Sequence, residues 1–451
     1  MARIHPFRGW RYDGKRVALQ SVVTQPYDKI TPEMQDKYYA ASPHNLVRII
    51  LGKRDSADVP GNDVYSRAAA YLHDWQREGV VVQDAEPSIY RYSQKFTEPG
   101  TGRTMERRGF IAAGEICDYN EGVIFRHEQT LAKPKADRLD LLRATRAHFG
   151  HIFMLYSDPG QKIEQALSAT GQADIDVKDE YGVQHRVWKI SDPKLVKLVQ
   201  EVMADKKLII ADGHHRYETA LTYRNERRKA ESEKTARQAA GGGNGGGVQT
   251  QAAPLAVEAP YDCVMMTFVN MDAEGLVILP THRVVHSLEG FDAARLIKEA
   301  EEYFEVTKAP RDAAALIALL AKSGQNQTVI AAVTARDAFL LRLRPGSTGA
   351  LLQAFSQRQQ KLDVVQLHKV LLEKVLGISE EDMRNQKHVV YFRDAAEAFA
   401  KVDKGADVAF LMNAAPMQQV RDIAFAGEVL PQKSTDFFPK MLDGLTIYSV
   451  E

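Results

Sequence analysis

Short apolar runs bounded by turn residues alternate along the whole chain with stretches whose apolar residues recur at helical spacing. That alternation excludes an all-helical and an all-β chain and predicts an α+β (mixed α/β) fold. Val17–Val23, Leu46–Leu51, Ser88–Phe96, Arg108–Ile116, Ile152–Tyr156, Lys207–Ala211 and Cys263–Asn270 read as strands. Pro99, Gly100 and Gly102 lie between the third and fourth of these, so that pair predicts a hairpin. Helical spacing marks Asp63–Glu78, Asp137–Phe149 and Ser191–Ala204. The last third repeats the alternation, with helices near Ala293–Tyr303 and Val364–Leu376 and strands near Thr328–Val333, Ala338–Leu343 and Val408–Met412.

One stretch breaks the pattern. Ala239–Ala253 reads AAGGGNGGGVQTQAA, which buries too little apolar surface to offset its ordering entropy and is expected to form a flexible loop. It suggests an N-terminal α+β domain over 1–238, a Gly-rich loop over 239–254 and a C-terminal α/β region over 255–451; a break near Pro310 is the other option. Arg224–Arg237, just before it, is dense in Glu, Lys and Arg and reads as a helix with a solvated face, a basic docking helix being the alternative. Lys plus Arg and Asp plus Glu both total 59 in 451 residues, so no overall field draws the chain to nucleic acid or anionic lipid. No run approaches the roughly 20 apolar residues of a membrane helix, and Met1–Tyr12 has no apolar signal core. Cys117 and Cys263 are the only two cysteines, which suits a reducing compartment. A soluble cytoplasmic protein, with neither nucleic acid nor membrane as partner, is expected; the oligomeric state is left open.

The segment richest in chemistry is Lys207–Leu221, KLIIADGHHRYETAL. An apolar strand runs through Asp212 and Gly213 into a helix that begins with His214, His215 and Arg216. Helix N-termini present unpaired N–H groups and a positive dipole end, so this turn suits a phosphate or carboxylate, and Arg216 is able to grip two oxygens at once. Neighbouring helical residues do not share a face, so one of His214 and His215 is expected to meet the ligand while the other orients the turn. Asp212 would fix a histidine tautomer or hold a metal ion; the plainer reading is a helix cap.

Four further clusters are candidates. Phe125–Thr130, FRHEQT, offers His127 and Glu128, but Leu131 stands where a zincin needs its second histidine. Leu279–Val285, LPTHRVV, places His282 and Arg283 after a strand. Leu430–Lys440, LPQKSTDFFPK, groups Lys433, Ser434 and Thr435 as an anion anchor, although Gln432 replaces the glycine a Walker loop requires. Gln25–Ile30, QPYDKI, puts Tyr27 and Asp28 in a turn, with Asp28 either a site residue or the cap of a helix near Pro32. Arg138, Arg143 and Arg146 punctuate what reads as an ordinary amphipathic helix.

Taken together, QPYD, SPHNLV, RHEQT, ADRLDLLRATRA, ADGHHRYETA, LPTHRVV and LPQKSTDFFPK resemble the bacterial and archaeal family catalogued as DUF1015, from Pro6 to Glu451. The ADGHHR turn is similar to the D-G-H-x-R turn of ParB/sulfiredoxin-like proteins, which include nucleotide-dependent kinases of free serine. That likeness implies a ParB/sulfiredoxin-like core around the turn with additional α/β regions, and phosphoryl transfer with a nucleotide or phosphate at the helix N-terminus. Family members are thought to sit beside serine-biosynthesis genes, which points to phosphoserine or serine as substrate. The Gly-rich stretch departs from the family pattern but lies outside every candidate site.

The expectation is a phosphoryl-transfer enzyme that hydrolyses phosphoserine or phosphorylates serine. In it, Asp212, His214, His215 and Glu128 are the catalytic candidates. Arg216, His127, His282, Arg283, Lys433, Ser434, Thr435 and Asp28 bind substrate or phosphate. Mg²⁺ on Asp212 and ADP or ATP are the cofactors such a reaction calls for. A non-enzymatic nucleotide or phosphometabolite sensor is the alternative, since it keeps the anion anchors without an acid/base pair. A sulfiredoxin-type redox role finds no cysteine in the turn.

Overall fold

The turn over Pro99–Gly102 closes the expected hairpin: Ile89–Thr97 pairs antiparallel with Thr104–Glu115, from Tyr90↔Ile111 to Thr97↔Thr104. In the computed structural model, which describes residues 2–128, 132–168, 171–241, 259–324 and 327–451, this hairpin belongs to a nine-stranded mixed sheet. Its order is Ile124–Phe125, Leu208–Asp212, Ile152–Tyr156, Cys263–Asn270, Thr104–Glu115, Ile89–Thr97, Gln184–Ile190 and Ile175–Lys178, with Ile4–His5 also on Thr104–Glu115. Cys263–Asn270 runs parallel to Ile152–Tyr156 and antiparallel to Thr104–Glu115. Every residue of that strand is buried, as a central strand requires. Helices Pro193–Met203 and His214–Gly241 contribute Val196, Val199, Met203, Tyr217 and Ala220 to the core against the sheet.

The chain divides into two compact units: Met1–Arg126 with Thr130–Leu276 and Pro439–Glu451, and His127–Gln129 with Val277–Phe438. The division therefore runs at Leu276/Val277 rather than at the Gly-rich stretch, because Cys263–Asn270 is built into the first unit's sheet. Residues 242–258, which hold most of that stretch, lie outside the described residues. The second unit carries an antiparallel six-stranded sheet ordered Phe304–Ala309, Ala338–Leu343, Val329–Val333, Val408–Leu411, His282–Val285, Val389–Phe392. Helices Ala313–Ser323 and Ala395–Asp403 bury Leu316, Leu320, Ala398 and Val402 in its core.

Several elements differ from expectation for local reasons. Leu46–Leu51 is not a strand but encloses the short helix Val47–Ile50, started by Asn45, whose Oδ1 accepts the Val47 N–H at 2.9 Å. Val17–Val23 is not a strand either; it holds a 3₁₀ turn at Leu19–Ser21, and the same buried Asn45 donates to Ser21 O at 2.7 Å. A short buried apolar run carries no period that separates strand from helix. Asp137–Phe149 is helical only to Thr145, because Arg146 takes φ +52° and Ala147–His148 then pairs with Tyr448–Ser449. Val364–Leu376 splits into Asp363–Gln366 and a nine-residue π-helix, Leu367–Val375. The helix near Pro32 is capped by Thr31, not by Asp28, which lies in the 3₁₀ turn Tyr27–Lys29. The helix through Arg224–Arg237 is not uniformly solvated: Arg224 is buried and bonds Ile116 O and Asp118, and Arg228 meets Asp262 at 2.7 Å. Among the described residues no helix is long and apolar enough to cross a membrane.

Candidate functional site

Leu208–Ala211 is buried and apolar, and the strand carries a register shift between Ile210 and Asp212 that re-aims its last residue. Gly213 follows with φ +93°, a conformation that glycine adopts without strain, and the helix starts at His214. The helix opens with Tyr217 N–H donating to Gly213 O at 2.9 Å, and the N–H groups of a helix's first turn have no intrahelical acceptor. Asp212 Oδ1 accepts the Gly213 N–H at 2.7 Å. His214 is buried and His215 half-buried.

Arg216 is held between carboxylates. Its Nη2 lies 4.0 Å from Asp212 Oδ1 and its Nη1 3.8 Å from Asp443 Oδ1, while Lys440 Nζ reaches Asp212 Oδ2 at 3.2 Å. The guanidinium lies against two glycines. A Cβ on Gly150 would stand 2.8 Å from Nη1 and 2.9 Å from both Asp443 carboxylate oxygens, and one on Gly213 would stand 3.2 Å from Nε and Nη2. Burial opposes the charge on Asp212, but Lys440, Arg216 and Lys29 outweigh it and hold the carboxyl well below its ordinary range. Asp443 behaves oppositely: burial pushes it up to about 7 against the pull of Arg216, with Asp28 and Asp212 adding repulsion. Arg216 itself is lowered by burial and raised by Asp443, Asp212 and Asp28, the net shift being upward.

Polar atoms go unused at this place. Among the described residues, Arg216 Nη1, Asp443 Oδ1, Thr24 Oγ1 and His151 Nε2 are buried without a hydrogen-bond partner. They are neighbours: Thr24 and Asp443 exchange backbone hydrogen bonds, His151 follows Gly150, and the Arg216 charge helps burial lower the His151 pKa to about 3. Each such atom costs about 1–3 kcal/mol when left unmatched, so the group is open to a bound water, ion or ligand. A cavity of about 60 Å³ opens on Arg216 and Asp443, lined also by Tyr27, Arg138, Gly150 and Thr219 among others. The Arg138 guanidinium stacks 4.2 Å from the Tyr27 ring centroid.

Buried polar groups brace the segment that carries Lys440 and Asp443. Arg107, 1% exposed, donates to Gln94 Oε1 and to Pro439 O, and Gln94 Nε2 donates to Lys440 O at 2.8 Å. Tyr92 Oη accepts the Leu442 N–H at 3.4 Å and lies 2.6 Å from His185 Nδ1, whose Nε2 meets Asp179 at 3.2 Å. Lys440 and Asp443 are thus fixed from behind rather than by their own reach.

The remaining predicted residues meet in the second unit. His127 Nε2 contacts Thr435 Oγ1 at 2.7 Å and Glu128 Oε1 accepts the Ser434 N–H at 3.2 Å, so RHEQT and LPQKST do assemble. Arg283 is 1% exposed and donates to Lys433 O at 3.0 Å and to Thr281 O. Burial lowers its pKa to about 10 and that of His282 to about 4, and His282 Nδ1 accepts the Met412 N–H at 3.3 Å. Lys433 takes φ +58° and is exposed. Hydrogen bonds to main-chain groups dominate this cluster. It ties segments together through main-chain acceptors, with Arg283 Nε buried and unmatched among the described residues, whereas in the Asp212 cluster the unmatched atoms are a guanidinium nitrogen and a carboxyl oxygen that face each other.

Sequence reasoning missed Lys440, Asp443, Gly150 and Arg107, and it read Arg138 as structural. Lys440 ends a block already singled out and Arg138 lies within another; nothing in the spacing marks the others. The donor set does not suit Mg²⁺ on Asp212, since its oxygens face an ammonium, a guanidinium and an amide N–H. Among the described residues no group of three or more His, Cys, Asp or Glu is placed to hold a metal ion.

The family described as "Protein of unknown function (DUF1015)" matches residues 4–366. No curated protein matches the chain. Among solved structures it is similar to a conserved hypothetical protein from Pyrococcus furiosus, at 16% identity over 71% of this chain and 90% of that one, with a TM-score of 0.32. It is also similar to a free serine kinase in complex with AMP (14% identity, 70% and 83% covered, TM-score 0.33). A third is SbnI with a C-terminal truncation from Staphylococcus aureus (10% identity, 74% and 85% covered, TM-score 0.34).

Proposed function

The chain belongs to the DUF1015 family, and for this member of it we propose phosphoryl transfer on a small hydroxylated metabolite, by phosphoserine hydrolysis or by nucleotide-dependent phosphorylation of serine. One observation carries the reading: a largely buried guanidinium with an unmatched N–H faces an unmatched carboxyl oxygen 3.8 Å away, on the first turn of a helix. Phosphoryl oxygens would take the Arg216 N–H, the helix N–H groups and the Lys440 ammonium, which are donors fixed before substrate arrives. Asp212 stays ionised and holds Lys440 and Arg216 in place.

In this reading Asp443 and the half-buried His215 move the proton. In the hydrolytic direction a water oxygen bonds to phosphorus, the P–O ester bond breaks, and the serine oxygen leaves with a proton. In the kinase direction the serine hydroxyl gives up its proton and bonds to the nucleotide's terminal phosphorus, releasing the shortened nucleotide. A carboxyl with pKa about 7 suits either transfer at neutral pH. Asp28, whose charge acts on both Arg216 and Asp443, belongs to the same centre. His127, Glu128, His282, Arg283, Lys433, Ser434 and Thr435 have no catalytic part in this reading.

The test is phosphoryl release from a panel of phosphorylated metabolites including phosphoserine, read as free phosphate without ADP and as ATP formed with ADP and Mg²⁺, for wild type and Asp212→Ala. Release that the substitution abolishes supports the enzyme. Phosphoserine or nucleotide binding with no turnover under any condition replaces it with the sensor.

A further inference from the structure

The segment Leu430–Gln432, expected to lead into a phosphate anchor, instead forms one wall of a separate cavity of about 160 Å³ within the second unit. Phe355, Val365, Met383, Tyr391 and Leu430 give it an aromatic and aliphatic lining. His368 adds a polar group: it is 8% exposed, and among the described residues its buried Nε2 has no hydrogen-bond partner. It stands in the first turn of the π-helix Leu367–Val375, a backbone form that is rare and frequent at functional sites. Burial, reinforced by Arg283 and Lys369, holds the imidazole well below its ordinary pKa, so it offers a neutral donor and acceptor.

Size and charge narrow the occupant. An apolar cavity of roughly 150 Å³ accommodates a benzene ring, so this one matches a single six-membered ring. Three charged side chains line it, and two are cations: Lys369 and Arg384 both meet Glu380, at 3.5 and 3.3 Å. Lys369 also meets Glu373 at 2.7 Å, whereas Arg384 touches Glu380 through one nitrogen, and its guanidinium fork suits a carboxylate bidentately. We infer that this cavity binds a small one-ring aromatic carboxylate, its ring against Phe355, Tyr391 and Met383 and its carboxylate at Arg384. The site is independent of the phosphoryl-transfer reading.

Benzoate is the probe. The full chain is labelled with ¹³C at its methionine methyls, the Met383 resonance is assigned by its loss in Met383→Leu, and benzoate is titrated in. The expected result is a saturable shift of the Met383 methyl, with affinity about tenfold weaker in Arg384→Gln and for the neutral isostere benzyl alcohol, about 1.4 kcal/mol. Arg384 is exposed, and the other methionine methyls report that the variant is folded. A Met383 methyl that benzoate does not move, or benzyl alcohol binding as well as benzoate, overturns the inference.

Discussion

Arg216 and Arg283 each follow a histidine and each is largely enclosed, but carboxylates surround the first and main-chain carbonyls the second. Carbonyl acceptors use a guanidinium to pin segments together, and burial lowers its pKa because it outweighs the pull of Tyr391 and Glu128. Carboxylates set 3.8 and 4.0 Å away raise the pKa, and they leave Arg216 Nη1 facing an unmatched carboxyl oxygen, whereas the unmatched Arg283 Nε has no carboxylate in ion-pair contact among the described residues. A His-Arg pair beside a strand is therefore no guide to function until its acceptors are known.

The largest effect that would sharpen the contrast comes from Arg216→Met. Phosphate release per folded molecule is expected to fall about 10²–10³-fold, the loss typical of one fixed donor to a developing charge. Arg283→Met should instead act on folding, lowering unfolding free energy by about 2–4 kcal/mol in denaturant titration because Lys433 O and Thr281 O lose their donor. Activity per folded molecule should stay near wild type. If Arg283→Met abolishes turnover in a fully folded protein, the division of roles fails.

Gly150→Ala is a finer probe. Its Cβ would crowd Arg216 Nη1 and Asp443 together, so turnover should drop about tenfold, with less than about 1.5 kcal/mol lost in stability. Unchanged kinetics would mean that the pair is not used.

The smallest effect is on pH dependence. Burial first, with Asp28 and Asp212 adding and Arg216 and Arg138 opposing, raises Asp443 to about 7 from an unfolded value near 4. The folded state thus keeps a proton that the unfolded chain has released. Its contribution is complete below about pH 4 and fades as pH rises to about 7. Asp443→Asn should flatten stability against pH across that window. Asp212 acts in the opposite sense, its contribution present above its unfolded pKa and lost on acidification, so the two slopes separate in the double variant.

How far the sequence led depends on how local each signal was. The hairpin at Ile89–Glu115, the strand Cys263–Asn270 and the strand-turn-helix at Asp212 were all legible because period, glycine and cap lie within one segment. The same locality picked out Asp212 and Arg216. Lys440 and Asp443 meet the turn through tertiary contacts, their segment braced by Arg107, Gln94 and Tyr92 from other strands of the sheet. Val17–Val23 misled for the same reason, since its shape depends on Asn45, outside any window that a strand pattern spans. RHEQT and LPQKST stand out as segments, but neither composition nor spacing shows that they contact each other.

The central claim is that Arg216, and not Arg283, is the anion-binding cation. Calorimetric titration of phosphoserine and of inorganic phosphate into wild type, Arg216→Met and Arg283→Met tests it most directly. Binding that survives Arg283→Met and is lost with Arg216→Met is the predicted result. Binding that survives Arg216→Met, or that disappears in a folded Arg283→Met protein, contradicts the account.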